Sequence, residues 1–463
     1  MPISHDKARE IAERLRKGRA MDGLSQLLAP RPPAETPLPD RVPSPRAWTA
    51  EAHRERLAFL EGLGHTTDAL SGEAPDPDPE TLQGNIENFI GYTRIPTGLI
   101  GPLRMNGLHA QGDVYVPLAT SEGALVASYD RGARLLSLSG GVAAVTSVEQ
   151  VQRAPGFAFR SIAEAAHFAA WAVDQFDRFA EVSATRTSHG RLVDLATHVE
   201  ANHVYLIFSL HPGDAAGQNM VTMCTAAICE DILERTPVTP EWWFLESNMS
   251  GDKKATVLSF LNTRGRNVMA ECRIPRRLVE KGLHTTPEQM DRYWRMSFIG
   301  GVQTGSIGVS GHIANGLAAL FLACGQDVAC VSEASVGITR MEVTDDGDLY
   351  ASLTLPNLIV GTVGGGTRLP TASESLRIMG CEGTGRASAF AEICCAVALA
   401  GEISIVGALC AGHFEGAHAR LGRPPSKGAP PESASAKNAP SGDAPSADPA
   451  SGASPSDGSS PGP

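Results

Sequence analysis

Four ionisable positions stand among apolar or turn-forming neighbours. Glu122 lies in ATSEGALVAS, ahead of Ala, Leu and Val. A carboxyl buried at the start of a helix has a raised pKa and can give up a proton near neutrality. The same residue also reads as a first-turn acid stabilised by the helix dipole. Asp252-Lys253-Lys254 follows Ser247-Asn248-Met249-Ser250-Gly251, a polar stretch that forms turns. A lysine held there can stabilise an oxygen anion, although an adjacent lysine pair is also what a solvated surface carries. Asp327 closes NGLAALFLACGQD, where an acid with so few polar neighbours needs a partner. Lys253 is a candidate for that partner, and so is an arginine in a purely structural pair. His413 and His418 in CAGHFEGAHARLGR are five residues apart. That spacing takes them off one helical face and argues against a two-histidine metal site, so no metal is expected. A histidine here can protonate a leaving group near neutral pH, or serve only packing or the surface.

Two glycine-rich segments add possible ligand contacts, GDAAGQNM at 213–220 and GTVGGGTRLP at 361–370. Neither fits GxGxxG, so a Rossmann domain is unsupported. GDAAGQNM opens an apolar helical stretch, and the free amides of a helix start can face a phosphate or a carboxamide. Each segment also reads as a tight turn.

The elements that must position these groups follow from periodicity. Residues 1–30 have helical spacing, broken by a proline-rich linker from Pro30 to Pro45, and Thr49 to Gly64 predicts a second helix. A helix beginning at Ser121, capped by its hydroxyl, carries Glu122. Residues 155–243 predict a small α+β insert, with helices at 162–179 and from Met220 to Arg235 and a strand at 203–208. Strands are expected near 267–274 and 349–355, with small-residue helices at 299–325 and 387–412. The larger body is therefore discontinuous in sequence, at 81–154 and 244–423, after an N-terminal region at 1–80. Residues 424–463 hold too little apolar surface to offset ordering entropy and are expected to be disordered.

Composition limits the rest. The net charge is −12 with scattered basic residues, which excludes the clustered positive patch of a nucleic-acid binder. Nine cysteines without a CxxC pair and mostly among apolar neighbours predict reduced, buried thiols. No secretory signal opens the chain, and the most apolar stretches read as buried helices, so a cytoplasmic protein without membrane contact is expected.

In order and wording, eight strings together resemble the HMG-CoA reductase family over about residues 81–423. They are ENFIGYTRIPTGLIGPL, VPLATSEGALVAS, GDAAGQNM, GDKK, RGRNVMAECRIP, IANGLAALFLACGQD, LPNLIVGTVGGGT and AGHFEGAH. The resemblance is to the soluble form, without the membrane anchor of animal and fungal relatives. It implies an α+β fold, with a large substrate-binding domain around a central helix and a small ferredoxin-like insert that binds the nucleotide. It implies reduction of (S)-HMG-CoA to (R)-mevalonate and coenzyme A by two hydride transfers from NADPH, with NADH as the alternative. It also implies a homodimer or larger homo-oligomer with the active site between subunits. By the same resemblance Glu122, Lys253, Asp327 and His418 are catalytic. Arg153, Asn248, Asp252, Lys254 and Asn315 surround the hydroxymethylglutaryl group, and Glu87, Asn88 and Tyr92 contact coenzyme A. Asp214, Ala216, Gly217, Gln218 and Asn219 meet the nucleotide, as does Ser188. The family's usual DAMGMN is changed at Ala216 and Gln218, and Thr187-Ser188-His189 lacks the arginine that many relatives place near a 2′-phosphate; Arg186 or Arg191 is its expected substitute. A mevalonate-oxidising relative and a non-catalytic acyl-CoA binder are the rival readings.

Overall fold

Buried side chains alternate with half-buried or exposed ones along 266–274 and 349–355, the period of a strand with one face in the core. By contrast, 387–410 is apolar on every side, which predicts a helix enclosed by other elements. The computed structural model describes residues 5–16, 19 and 21–412. His413, His418 and the tail at 424–463 lie outside the described residues.

The N-terminal region forms α1 (His5–Arg16), α2 (Met21–Leu28), α3 (Ala50–Gly62, capped by Thr49) and the short α4 (Asp68–Ser71). The large body opens with β1 (Thr97–Gly107), β2 (Gln111–Ala119), α5 (Leu125–Leu138) and β3 (Val142–Arg153). The insert follows: β4 (Gly156–Ala158), α6 (Ile162–Val173), α7 (Phe176–Ala184), β5 (Arg191–Glu200), β6 (His203–His211), α8 (Gln218–Arg235) and β7 (Trp242–Phe244). The large body resumes with β8 (Gly265–Ile274), α9 (Arg276–Leu283), α10 (Pro287–Thr304), α11 (Ile313–Ala323), α12 (Val331–Ala334), β9 (Ile338–Val343), β10 (Leu349–Leu358), α13 (Pro370–Ile378) and α14 (Ala387–Cys410).

In the large sheet β3, β8, β10 and β9 run antiparallel in that order, with β1 joining β3 in parallel and β2 antiparallel to β1. In the insert the order is β7-β4-β6-β5, all antiparallel. With helices after the first and third strands, this is the ferredoxin-like split βαβ order. One strand belongs to both sheets: β3 pairs with β8 up to Gln150 and with β6 from Val151 to Arg153. The ladder is interrupted at Pro155, which has no N–H to donate, and β4 continues along the same side of β6.

Two large apolar cores result, with a small third cluster of Val42, Leu60, Tyr115 and Ile378. The first gathers α5, α11, α14 and the inner face of the large sheet, and the second includes Phe157, Phe168, Phe179 and Phe208 of the insert. α14 is long and apolar enough to cross a membrane, yet 83% of its most apolar window is buried inside the protein. It meets α5 at a contact only glycine permits: a Cβ on Gly132 would lie 1.9 Å from the Ala400 carbonyl oxygen. Its two buried acids, Glu392 and Glu402, accept backbone N–H groups, Glu392 from His109 and Ala110 and Glu402 from Gly311 and His312. All nine cysteines are unpaired, and eight are buried.

Several expectations need correction. Glu122 is not on a helix: α5 starts at Leu125, and its cap is Ala124 in a left-handed conformation instead of Ser121. The stretch 162–179 is broken into α6 and α7 by a turn at 174–175, and 299–325 is divided between α10 and α11 at Gly305. The proline-rich stretch is no free linker. Buried Arg104 pairs with Asp113 at 2.8 Å and donates to the carbonyls of Arg31, Thr36 and Pro37, strapping 31–37 to β1.

Candidate functional site

The turn that presents Lys253 adopts a φ of +55° there, a region costly for a residue with a Cβ unless its surroundings fix it. They do so on both sides of the residue. The Lys253 N–H donates to Glu333 Oε1 at 3.0 Å, and its carbonyl accepts from Ser332 Oγ at 2.7 Å. The side chain then reaches Asp327, with Nζ 2.7 Å from Oδ2. Asp327 caps the short 3-10 turn at 328–330, Oδ1 accepting from Ala329 N, and Oδ2 also accepts from Gln218 Nε2 at 3.2 Å. Partial burial alone would raise the Asp327 pKa, but the hydrogen bond and charge of Lys253, with the Ala329 and Gln218 donors, hold it below the usual carboxylate value. The Asp327 hydrogen bond in turn raises Lys253, so the pair is fully ionised at neutral pH.

Behind the pair lies a buried charge network. Arg264, 1% exposed at its side chain, bridges Asp252 Oδ1 at 2.6 Å and Glu333 Oε1 at 2.5 Å. Asp252 Oδ2 accepts from Arg153 at 3.0 Å, and Arg153 also meets Glu246 at 3.1 Å and Thr222 Oγ1 at 2.9 Å. Burial pushes the fully enclosed Glu333 up, opposed by Arg264. Lys254 is exposed and its Nζ donates to the Asp252 carbonyl. Asn248, at a φ of +67°, donates its N–H to Glu246 Oε1.

Glu122 belongs to a separate pair. Both of its oxygens accept from Asn315 Nδ2, at 3.2 and 2.9 Å, and it is exposed, contrary to the burial expected of it. Asn315 is placed by α11, whose start is fixed by the Glu402 contacts to Gly311 and His312 and by Tyr129, its hydroxyl donating to the His312 carbonyl. Asn315 is near the start of α11 and Asp327 follows its end. At 1.5 Å per residue, roughly 12 Å of helix lies between the two pairs in one chain.

The two glycine segments meet each other. A Cβ on Gly361 would lie 2.5 Å from Ala216 N, so only glycine allows the approach. Buried Arg266 holds both strands of this junction, donating to the carbonyls of Gly213 at 2.6 Å and Val360 at 2.5 Å. His211 Nδ1 accepts from Gly213 N, which leaves Nε2 to carry the proton toward Glu149 Oε2 at 3.0 Å. Asp214 is committed within the chain, its oxygens accepting from Gly385 N and Ala387 N at the start of α14. Gly217 is the cap of α8, Gln218 is its first residue, and Asn219 is exposed at the same end. Ser188 is exposed in the turn before β5, where Arg186 and Arg191 lie 3.8 and 3.6 Å from Glu230 and Glu10. Glu87, Asn88 and Tyr92 are exposed on a segment that bends at 87–88, where Asn88 has a φ of +53°; Ile90 is fully exposed, and Tyr92 is edge-on to Phe89 at 5.1 Å.

The structure therefore joins Lys253, Asp327, Asp252, Arg153, Lys254 and Gln218 in one network and Glu122 with Asn315 in another. Arg264, Glu333, Glu246, Thr222 and Arg266 were not singled out from sequence. The only local signal was the double arginine in RGR at 264–266, which charge alone reads as surface. Among the described residues no cluster of His, Cys, Asp and Glu could hold a metal ion.

The pattern recurs in known proteins. A model of the family described as hydroxymethylglutaryl-coenzyme A reductase matches residues 52–423. The chain is 43% identical over 376 residues to a 3-hydroxy-3-methylglutaryl-coenzyme A reductase of Pyrococcus horikoshii, covering 80% of this chain and 90% of that one. It is 40% identical over 390 residues to the enzyme of that name from Haloferax volcanii, covering 82% and 96%. In fold it is similar to a class II 3-hydroxy-3-methylglutaryl-CoA reductase from Streptococcus pneumoniae solved with NADPH in open conformations, at a TM-score of 0.63 and 18% identity over 78% of this chain and 99% of that one. With the family pattern spread over 52–423 and archaeal relatives matched along most of their length, this chain belongs to the hydroxymethylglutaryl-coenzyme A reductase family of enzymes.

Proposed function

We propose that this protein reduces (S)-HMG-CoA to (R)-mevalonate and coenzyme A, in the cytoplasm, with NADPH as reductant. The observation that carries the reading is the 2.7 Å Lys253–Asp327 pair, held on a strained turn and backed by buried charges. Such a preorganised cation suits a reaction in which negative charge develops on a carbonyl oxygen. Each nicotinamide nucleotide would supply one hydride when bound, so two are used in turn at the same carbon, first as a thioester and then as an aldehyde. Lys253 Nζ stabilises the oxyanion, while Asp327 keeps Nζ charged and aimed. His418 gives the departing thiolate its proton, and Glu122, held by Asn315, carries the proton for the aldehyde stage. Arg153, Asn248, Asp252 and Lys254 line the acyl side with Asn315, and Glu87, Asn88 and Tyr92 meet coenzyme A. The open amides at the start of α8, with exposed Asn219 beside the Gly361 approach, fit a nucleotide. Asp214 acts there by bracing the loop, since both of its oxygens are already engaged.

The direct test mixes purified protein with HMG-CoA and either NADPH or NADH, following absorbance at 340 nm and free thiol. Two nucleotides oxidised per thiol released is the expected result. A preference for NADH would replace the coenzyme assignment, and thiol release without nucleotide oxidation would remove the reductase reading altogether.

We further propose that Glu122 and Asn315 of one subunit complete the site built on Lys253 and Asp327 of another, because a single chain holds the two pairs at opposite ends of α11. Mixing inactive Glu122→Gln and Lys253→Met chains under exchange conditions should then restore roughly a quarter of wild-type activity. Half of a random mixture is heterodimer, and each twofold heterodimer carries one intact site of two. Mixtures that stay inactive, with exchange verified, would place all four residues in one protomer's site.

A further inference from the structure

α8 presents two polar side chains, Gln218 and Thr222, one turn apart and therefore on one face. Both point toward the charged network and away from the insert's own core. Gln218 Nε2 lies 3.2 Å from Asp327 Oδ2 and 3.2 Å from Cys330 Sγ, so the two amide protons have separate acceptors. The reverse amide orientation would set Oε1 against the Asp327 carboxylate, so the nitrogen must face it. Thr222 donates to the Gln218 carbonyl at 2.8 Å and accepts from Arg153, which bonds Asp252. The first turn of α8 is thus tied at two points to the network that holds Lys253.

We propose that Gln218 is a positioning residue for the Lys253–Asp327 pair, through which the nucleotide-facing end of α8 sets the geometry of the catalytic ion pair. This goes beyond a role as a nucleotide contact, and it rests on the catalytic reading of Asp327. The chemistry is a hydrogen bond from a neutral amide to a charged carboxylate, among the stronger hydrogen bonds in proteins. It gives Oδ2 a second donor beside Lys253 Nζ and favours the ionised acid. Because Gln218 directly follows the Gly217 cap, a ligand that reorders this turn moves the amide and changes what Asp327 feels. The other groups that bear on the pair are Cys330 at the end of the 3-10 turn, Glu333 beyond it, and Asp252 and Arg264 behind Lys253.

Gln218→Met keeps length and flexibility while removing both donors. Its kcat should fall about three- to tenfold, the loss of one partly exposed hydrogen bond to a charged group, with little change in KM for HMG-CoA. The acid limb of the kcat–pH profile should move to higher pH, because losing a donor to the charged form raises the Asp327 pKa. Gln218→Glu, which sets a second carboxylate against the first, should move it further. The decisive comparison is a double-mutant cycle with Asp327→Asn: if Gln218 acts through Asp327, Gln218→Met has almost no effect in that background. A Gln218→Met variant that alters only the coenzyme KM, or that lowers kcat equally in both backgrounds, overturns the proposal. Unchanged turnover in Asp327→Asn alone would instead refute the catalytic reading of that aspartate. Matched thermal unfolding of the variants separates either result from misfolding.

Discussion

Lys253→Met is expected to lower kcat by about a hundred- to a thousandfold, the usual cost of losing one preorganised donor to a developing oxyanion. The fold should survive. The Lys253 side chain is 40% exposed, and the contacts that pin its turn, to Glu333 and from Ser332, are made by its backbone. Turnover should fall with KM for HMG-CoA nearly unchanged, since the interaction strengthens only as charge develops. Steady-state kinetics beside circular dichroism checks this. A variant that retains more than a tenth of wild-type kcat would mean that the oxyanion is stabilised elsewhere. Asp327→Asn should share the loss in part, because Lys253 then keeps its charge but not its aim.

Arg264→Met should be the most damaging change to stability near the site. Arg264 is the sole bridge between Asp252 and Glu333 in the network described, and its side chain is 1% exposed. Removing it leaves the fully enclosed Glu333 without its cation, while Asp252 keeps Arg153, and breaking such a buried pair costs about 3–5 kcal/mol. Denaturant unfolding should show that loss as a lowered midpoint with an unchanged slope. At neutral pH part of the loss should be relieved by protonation of Glu333, whose carboxyl burial already pushes up. The variant should therefore regain stability as the pH is lowered from 7 toward 5. The sign follows from a folded-state pKa above the unfolded one, which makes proton uptake favour the folded form at low pH. A midpoint within experimental error of wild type would show that Glu333 finds another cation.

The surroundings of Asp327 called for a partner, with Lys253 and an arginine both open, and the structure places Lys253 Nζ against Oδ2. Strands with strict alternation, such as β8 and β10, were legible because one face is wet. β1 and β5 were not, β1 because most of it is enclosed on both faces and so loses the period-two signal, β5 because its outer half is exposed on both. Glu122 was misplaced because ATSEGALVAS reads locally as a helix start, whereas α5 begins only after a left-handed Ala124. Arg264, Arg266 and Glu333 were invisible for a related reason. A charged residue signals the surface until its partner, 69 residues away for Arg264 and Glu333, is brought beside it.

The shared strand β3 bears on how relatives of this chain can be recombined. Arg153 belongs by its ladder to the insert, opposite Phe208, and by its ion pairs to Glu246 and Asp252 in the segment that re-enters the large body. A chimera that imports another protein's nucleotide-binding unit between Pro155 and Phe244 would keep this arginine but seat it against a foreign β6. Loss of activity in such a graft would then report a mismatched strand register, not an incompatible coenzyme. Junctions placed upstream of Val151 and downstream of Lys254 would carry Arg153 together with both of its acids and keep the donor's own pairing intact.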